Sequence, residues 1–510
     1  MLLQEYLYRS AARFPEKECL IYGKNKITYR QLVHAAQSVA TWIGSLEVEV
    51  DFRGAILSDD PFEYISCYFG ILMAGGVVVG LNTQTSVKSL QYHLVDSGAS
   101  VLFLNSKYKR YLQKVILPQD SLRGIAITTL PPGDREDPVQ WTDLTSLLCR
   151  ANLDEPGPMP FRMSCDLAQI IYTSGTTGKP KGVMLRHGNL IANTESIVQY
   201  LSLNENDSVM AVLPFFYSYG NSVLLTHIAA GGTLVVNQSL MYPNVILEQM
   251  VQHDVTGFSG VPSTFALLLH RSSLARFRFP SLRYLTQAGA AMSPVLAERL
   301  EKHFPGVEIY IMYGQTEASA RLSYLDPSEI HNRPGSIGKA IPGVQLSLLD
   351  QGGHPVPAGE MGEIVARGEN IMAGYWQREA ESTEVLRREG LWTGDLARQD
   401  QDGFFYIISR KGDIIKSGGH RIGPKEIEDT LAEHPAVHEV AVIGVADEIL
   451  DERIRACIVL KEGHECVEKE LIRYCRKELP AYKVPQEICF FNELPKTATG
   501  KIRKTELKVP

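Results

Sequence analysis

At 510 residues the chain is too long for one ordinary domain and long enough to bury a large layered core. It is 44% hydrophobic and 21% charged, the make-up of a soluble globular protein, and a net charge of -7 without a basic block argues against nucleic-acid binding through phosphate contacts. Its eight cysteines show no C-x-x-C spacing, so they read as reduced thiols of a cytoplasmic protein, and His464 with Cys466 lacks the second ligand pair a metal site would need.

The N-terminus, Met1 to Glu5, has neither a basic region nor a long apolar core, so no signal peptide is expected. Thr28 and Gln31 spell a capping box with Ile27 and Leu32 as hydrophobic staple. They predict a helix that buries Leu32, Val33, Ala36, Val39, Ala40 and Ile43 and stops at Gly44. Tyr64 to Leu81 is the most membrane-like stretch. Ser66, Gly70 and Gly75-Gly76 make it a buried helix, a turn and a buried strand rather than a span. Strands are expected at Leu167 to Tyr172, Val183 to Leu185, Val209 to Leu213, Thr233 to Val236 and Val307 to Met312, alternating with helices as in a doubly wound α/β fold. From about Gly335 short strands with Gly/Pro turns, such as Ile341 to Leu349, predict a small β subdomain. Beyond Arg410, Glu426 to Leu431 reads as helix and Val440 to Val445 as strand. A boundary near Lys411-Gly412 divides an N-terminal domain, 1–411, from a smaller α+β C-terminal domain, 412–510.

The most telling stretch is Tyr172-Thr-Ser-Gly-Thr-Thr-Gly-Lys-Pro-Lys-Gly182. A loop leaving a buried strand with this many glycines and hydroxyls can aim backbone N–H groups at phosphate oxygens, and Lys179 and Lys181 add charge. It is not a Walker loop. Only two residues separate Gly175 from Gly178, and Pro180, not a magnesium-holding hydroxyl, follows Lys179.

This segment resembles the phosphate-loop signature of the adenylate-forming enzymes: acyl-CoA synthetases, aryl-acid ligases, peptide-synthetase adenylation domains and firefly-type luciferases. Further signatures follow in the family's order and span nearly the whole chain: Tyr313-Gly-Gln-Thr-Glu317, Leu391-Trp-Thr-Gly-Asp395, Arg410, and Pro495 to Lys504 around Lys501. The resemblance implies ATP, Mg2+ and a thiol acceptor, CoA or the phosphopantetheine of a carrier protein. It implies that Thr173, Ser174, Gly175, Thr176, Thr177, Gly178, Lys179 and Lys181 cradle the triphosphate. Tyr313 would pack on adenine, with Gly314 beside it, while Thr316 bonds the α-phosphate and Glu317, with Thr173 nearby, meets the magnesium. Asp395 and Arg410 would hold the ribose, and Lys501 would be the mobile catalytic lysine. Gly418 and Gly419 would line a pantetheine tunnel once the small domain swings. Gly412 stands at the hinge, where the family often has Asp or Lys. Gly289, Ala290 and Ala291 have side chains small enough for adenine and an acyl group to approach the backbone.

The acid itself is harder to read. Leu213 to Gly220 matches a motif that carries His in many acyl-CoA synthetases, but Tyr217 stands there, and Ser218 stands where amino-acid-activating relatives place an aspartate. An ammonium without a carboxylate partner is costly to bury, which disfavours an α-amino acid. Phe215, Phe216, Val261, Pro262 and Phe265 read either as an apolar acyl pocket or as core. Gly374-Tyr-Trp376 runs to Thr393 without the insertion usual in stand-alone fatty acyl-AMP ligases, which favours a completed thioester. The expected activity is an ATP-dependent acid–thiol ligase acting on a fatty or other apolar acid, with CoA or a carrier protein as acceptor. A non-catalytic nucleotide-binding protein of the same fold is the alternative.

Overall fold

The structure, a computed structural model, describes residues 1–510 except 117–120, 130–138, 150–159, 174–179, 418–419, 448–449, 497–501 and 508–510. Two large sheets organise the N-terminal region. The first has nine strands. Its parallel centre runs, in spatial order, Glu308–Tyr313, Tyr284–Gln287, Gly257–Gly260, Ser208–Ala211, Thr233–Val236 and Glu18–Tyr22. Ser323–Leu325 and Lys339–Ala340 close one edge antiparallel, and Asn25–Thr28 closes the other. The second has eight strands, from Gly374–Tyr375 through Lys181–Arg186, Leu167–Thr173, Val77–Gly80, Arg53–Leu57 and Ala99–Leu104 to Gly124–Ile127 and Gln140–Asp143. Its Val/Ile/Leu-rich central strands are buried on both faces, as a parallel sheet covered by helices requires.

The largest core draws on both sheets and on helices Tyr29–Gly44, Pro61–Met73 and Ser218–Ala230. The expected capping box starts the first of these. Thr28 Oγ1 accepts from the Gln31 N–H at 3.2 Å, and Gln31 Oε1 accepts from the Thr28 N–H at 2.8 Å. Trp42 joins the buried face and Ala40 is only partly covered, so the apolar stripe is shifted slightly from the expected one. The membrane-like stretch is a helix, Pro61–Met73, a turn at Gly75 with φ +78°, and a strand, Val77–Gly80. Among the described residues no helix is long and apolar enough to cross a membrane. All eight cysteines are free.

The β subdomain is a five-stranded antiparallel sheet of Val344–Leu349, Met361–Gly368, Leu386–Arg387, Gly390–Gln399 and Phe405–Arg410. From Ile415 onward a separate sheet, with helices Pro424–Glu433 and Glu468–Glu478, encloses its own apolar clusters. The whole is the mixed α/β architecture expected from the sequence, a large region of sheets followed by a smaller C-terminal one.

Candidate active site

Parallel strands end on one edge of their sheet, and ligands of open α/β sheets bind beyond those carboxyl ends. In the nine-stranded sheet four adjacent strands end at Ala211, Gly260, Gln287 and Tyr313. The residues that follow them are Leu213 to Ser218, Val261, Gly289 to Ala291, and Gly314 to Glu317, so topology alone gathers four segments singled out in the sequence. Gly289 has φ +90°, and a Cβ there would lie 3.3 Å from Val261 Cγ1, which sets two of these loops in contact. Gly289, Ala290 and Ala291 are exposed, presenting a small-residue surface to the cleft.

Tyr313 ends its strand pointing across to the β subdomain, where its hydroxyl donates to Asp395 Oδ2 at 2.7 Å. Burial, then the neighbouring Asp395 carboxylate, holds the Tyr313 phenol well above its usual pKa, so it stays a neutral donor. Asp395 and Arg410 are direct register partners on antiparallel strands. Arg410 Nε donates to Asp395 Oδ1 at 3.1 Å, and that carboxylate raises the guanidinium pKa further. Both Asp395 oxygens therefore have protein partners in this arrangement. Next to them, Lys411 pairs with the buried Glu363 at 3.2 Å, and Glu363 also accepts from the Gly394 N–H at 3.0 Å.

Thr316 Oγ1 lies 3.2 Å from Ser218 Oγ, linking the ends of two strands through hydroxyls. Glu317 Oε1 accepts from the Tyr375 hydroxyl at 2.9 Å, and Lys181 Nζ sits 5.0 Å from the centre of the same Tyr375 ring. Tyr375 thus connects the end of the signature loop to the predicted metal-binding glutamate. The sequence pattern did not single it out, although Gly374-Tyr-Trp376 is visible as a motif. The turn after Tyr313 is tight. A Cβ on Gly314 would stand 2.1 Å from the Ala320 carbonyl oxygen, while Ser319 and Ala320 hold φ values of +57° and +118°. Strain of this kind persists only where the surroundings over-determine it.

The loop residues Ser174, Gly175, Thr176, Thr177, Gly178 and Lys179 lie outside the described residues, as do Gly418, Gly419 and Lys501. The loop's flanks are described. Thr173 and Lys181 are register partners, and Thr173 Oγ1 is 3.4 Å from the Lys181 carbonyl. Helix Val87–Ser97 fastens both flanks, an arrangement not legible from the motif. Tyr172 donates to Asp96 Oδ2 at 2.7 Å, and Tyr92 donates to the Pro180 carbonyl at 2.9 Å. Arg378 pairs with Asp96 at 3.2 Å, and Trp376 Nε1 donates to the Asp96 carbonyl at 2.8 Å.

The apolar residues divide. Phe215 packs on Tyr64, and Phe265 packs edge-on against Phe258, both in buried clusters, so these two are core. Phe216 is also buried, with its ring 4.5 Å from that of Tyr217. Tyr217 is partly exposed and accepts from Asn82 Nδ2 at 3.1 Å, with burial pushing its phenol up to about 12. Val261 is half-buried at the start of helix Pro262–Arg271. Gly412 is exposed, and a Cβ there would meet nothing within 4 Å.

Glu317 keeps one carboxylate oxygen without a described partner, Oε2, in a cleft with Thr316, and a hard oxygen donor of that kind suits Mg2+.

Two family models match: AMP-binding enzyme over residues 7–376 and AMP-binding enzyme C-terminal domain over residues 426–501. A long-chain-fatty-acid–CoA ligase of Bacillus subtilis is 31% identical, aligned over 99% of this chain and 94% of its own. A feruloyl-CoA synthase of an Amycolatopsis species is 32% identical over 98% of this chain and 97% of its own. The o-succinylbenzoate coenzyme A synthetase of Bacillus subtilis, solved with ATP and a magnesium ion, superposes with a TM-score of 0.85 at 29% identity, covering 99% of both chains.

Proposed function

Because the chain belongs to the AMP-binding enzyme family, we propose that it is an AMP-forming acyl-CoA synthetase. It activates a carboxylic acid with an apolar body as its adenylate and passes the acyl group to CoA. The observation that carries this reading is the convergence of Tyr313, Thr316 and Glu317 from one strand end with Asp395 and Arg410 from the β subdomain. That constellation offers an aromatic face, a hydroxyl, a free carboxylate oxygen and a paired carboxylate around one cleft, the groups a nucleotide and its magnesium need.

In the first half-reaction a carboxylate oxygen attacks the α-phosphorus, the bond to the β-bridging oxygen breaks, and pyrophosphate leaves. Thr316 steadies the α-phosphate, and Asp395 accepts from the ribose hydroxyls in exchange for part of its present bonding to Tyr313 and Arg410. Glu317 and Thr173 would hold the magnesium, which when bound neutralises charge on the phosphates. Lys501 brings the acid carboxylate and the phosphoryl oxygens together, a task suited to a compact ammonium on a long stem. Such positioning and charge stabilisation supply most of the catalysis in phosphoryl chemistry. In the second half-reaction a thiolate attacks the acyl carbonyl and AMP leaves, with Gly418 and Gly419 giving the thin pantetheine arm room. Residues 412–510 move as a unit between the two steps, turning about Lys411-Gly412. CoA is favoured as acceptor because the curated relatives are CoA ligases. The phosphopantetheine of a carrier protein is the alternative.

The test is acid-dependent exchange of labelled pyrophosphate into ATP over fatty, aryl and amino acids. Exchange is expected with acids of apolar body; none with any acid, under conditions where ATP binds, would overturn the reading. Lys501→Ala is expected to abolish exchange while leaving thiol transfer from preformed acyl-AMP largely intact, and an equal loss of both steps would remove the role given to Lys501. Replacing CoA by a holo carrier protein in the second step identifies the acceptor.

A further inference from the structure

Near the strand ends that form the cleft lies a small cavity of about 10 Å³, room for about one water. Its walls include Tyr219, Ser222, Ser259, Thr286, Met312 and Arg321. Tyr219 follows Ser218 in the chain, and Met312 precedes Tyr313. Ser259 stands two residues before Val261, and Thr286 three residues before Gly289. At the rise of a β-strand the Met312, Ser259 and Thr286 offsets put these walls roughly 3–10 Å from the residues that follow the strand ends.

Arg321 is 3% exposed. Among the described residues no carboxylate comes within ion-pair distance of it. Its Nη1 donates to the Ala320 carbonyl at 3.0 Å and its Nε to Met312 Sδ at 3.4 Å, and its guanidinium lies 4.0 Å from the centre of the Tyr219 ring. The Tyr200 and Tyr219 side chains also hydrogen-bond to it. An isolated buried cation costs several kcal/mol, and a π face, a thioether, a carbonyl and two phenols, none of them an anion, recover only part of that. The other basic side chain on the wall, His227, is neutral: burial pushes it down to about 4, and it bridges the Val223 carbonyl and the Tyr284 hydroxyl. Arg321 is thus the sole charge on the cavity wall. It is also held in place, because Asn193 and Asn370 both donate to its carbonyl, at 3.1 Å and 2.9 Å. The remaining wall is rich in hydroxyls, with Tyr219 donating to the Thr286 carbonyl at 2.8 Å and Ser259 within 2.8 Å of Thr286 Oγ1.

We propose that Arg321 is the specificity residue for the far end of the acid, and that the substrate carries a second carboxylate which this guanidinium receives. The inference rests on the ligase reading above and names its substrate class: a dicarboxylic acid whose reacting carboxylate lies by Thr316 and whose apolar middle passes Tyr219. A guanidinium suits this task because its fixed fork matches a carboxylate with two parallel N–H bonds. The incoming group displaces the water-sized content of the cavity and turns the Tyr219 ring aside. It supplies the anion that the protein leaves out.

The experiment is pyrophosphate exchange with pairs of acids of equal length, one member ending in a carboxylate and the other in a methyl group, on the full chain and on Arg321→Met and Arg321→Lys. The unaltered protein is expected to use one diacid at least about thirtyfold better, in kcat/KM, than its monocarboxylic partner. Arg321→Met is expected to reverse that order while ATP affinity holds, and Arg321→Lys to fall between. A preference for the methyl-ended acids that Arg321→Met leaves unmoved overturns this assignment and keeps the ligase. Absence of exchange with every acid, while ATP still binds, overturns both. The comparison within the unaltered protein decides the matter even if a variant fails to fold.

Discussion

Tyr313 and Asp395, 82 positions apart in the chain, meet at 2.7 Å, and their hydrogen bond ties the nine-stranded sheet to the β subdomain. The same carboxylate faces Arg410 across a register pair, so three residues from three strands share one charge. Asp395→Ala is expected to lower ATP affinity about 10- to 100-fold, the worth of one or two hydrogen bonds to a charged group. Titration calorimetry with ATP measures it. An unchanged affinity would separate this residue from the nucleotide.

Asp96 is part of none of the signature motifs, yet it holds Tyr172, at the entrance of the signature loop, and pairs with Arg378. Asp96→Ala leaves the half-buried Tyr172 hydroxyl and the Arg378 guanidinium without this acceptor. We expect a loss of roughly 2 kcal/mol in stability and a rise of about tenfold in the KM for ATP, with the KM for the acid nearly constant. Steady-state kinetics in both substrates distinguishes this from general damage, which would move both constants.

Two glycines near the site should respond in opposite ways. At Gly314 an added Cβ would meet the Ala320 carbonyl at 2.1 Å, and backbone has no rotamer with which to retreat. Gly314→Ala is expected to cost about 3 kcal/mol and most of the activity. At Gly412 nothing lies within 4 Å, so Gly412→Ala is expected to stay within about 0.5 kcal/mol of the parent. Urea unfolding compares the two.

His93, His187 and His227 are buried, and burial lowers each to about 4. An unfolded histidine titrates near 6.5. Between these values the unfolded chain binds more protons than the folded one, so stability is full above about pH 6.5 and declines as pH falls toward 4. Each residue accounts for up to about 3 kcal/mol of that decline. Urea midpoints taken from pH 7 to pH 5 are expected to fall steadily, and His227→Gln should reduce the slope by roughly a third. A parallel slope in the variant would show that His227 titrates alike in the folded and unfolded chain.

Much of the site was legible because its signatures are local. The strand entering the signature loop, the turn after Tyr313 and the Thr28 capping box all follow from residues within a few positions of one another. What escaped depends on distant partners. Asp96, Tyr92 and Arg378 carry no spacing that announces a clamp, and Tyr375 joins Lys181 to Glu317 only because a short strand is added at the sheet's edge. Phe215 and Phe265 could not be sorted between pocket and core, since apolar patterning is the same for both. Arg321 looks like any surface arginine beside a motif. It is buried, directly after the positive-φ residues Ser319 and Ala320, and neither feature is revealed by composition.

The four strand ends that build the cleft carry a consequence for how such an enzyme diversifies. The frame is fixed by register within the sheet, whereas Val261, Gly289 to Ala291 and Gly314 to Glu317 stand one to four residues past it, on connecting segments. Those segments can be lengthened, shortened or re-lettered without disturbing a single ladder bond. Asp395 and Arg410, the pair proposed to hold the ribose, sit on a different sheet altogether. Changes in those segments can therefore accumulate while the Asp395–Arg410 pair, on its own sheet, is left untouched.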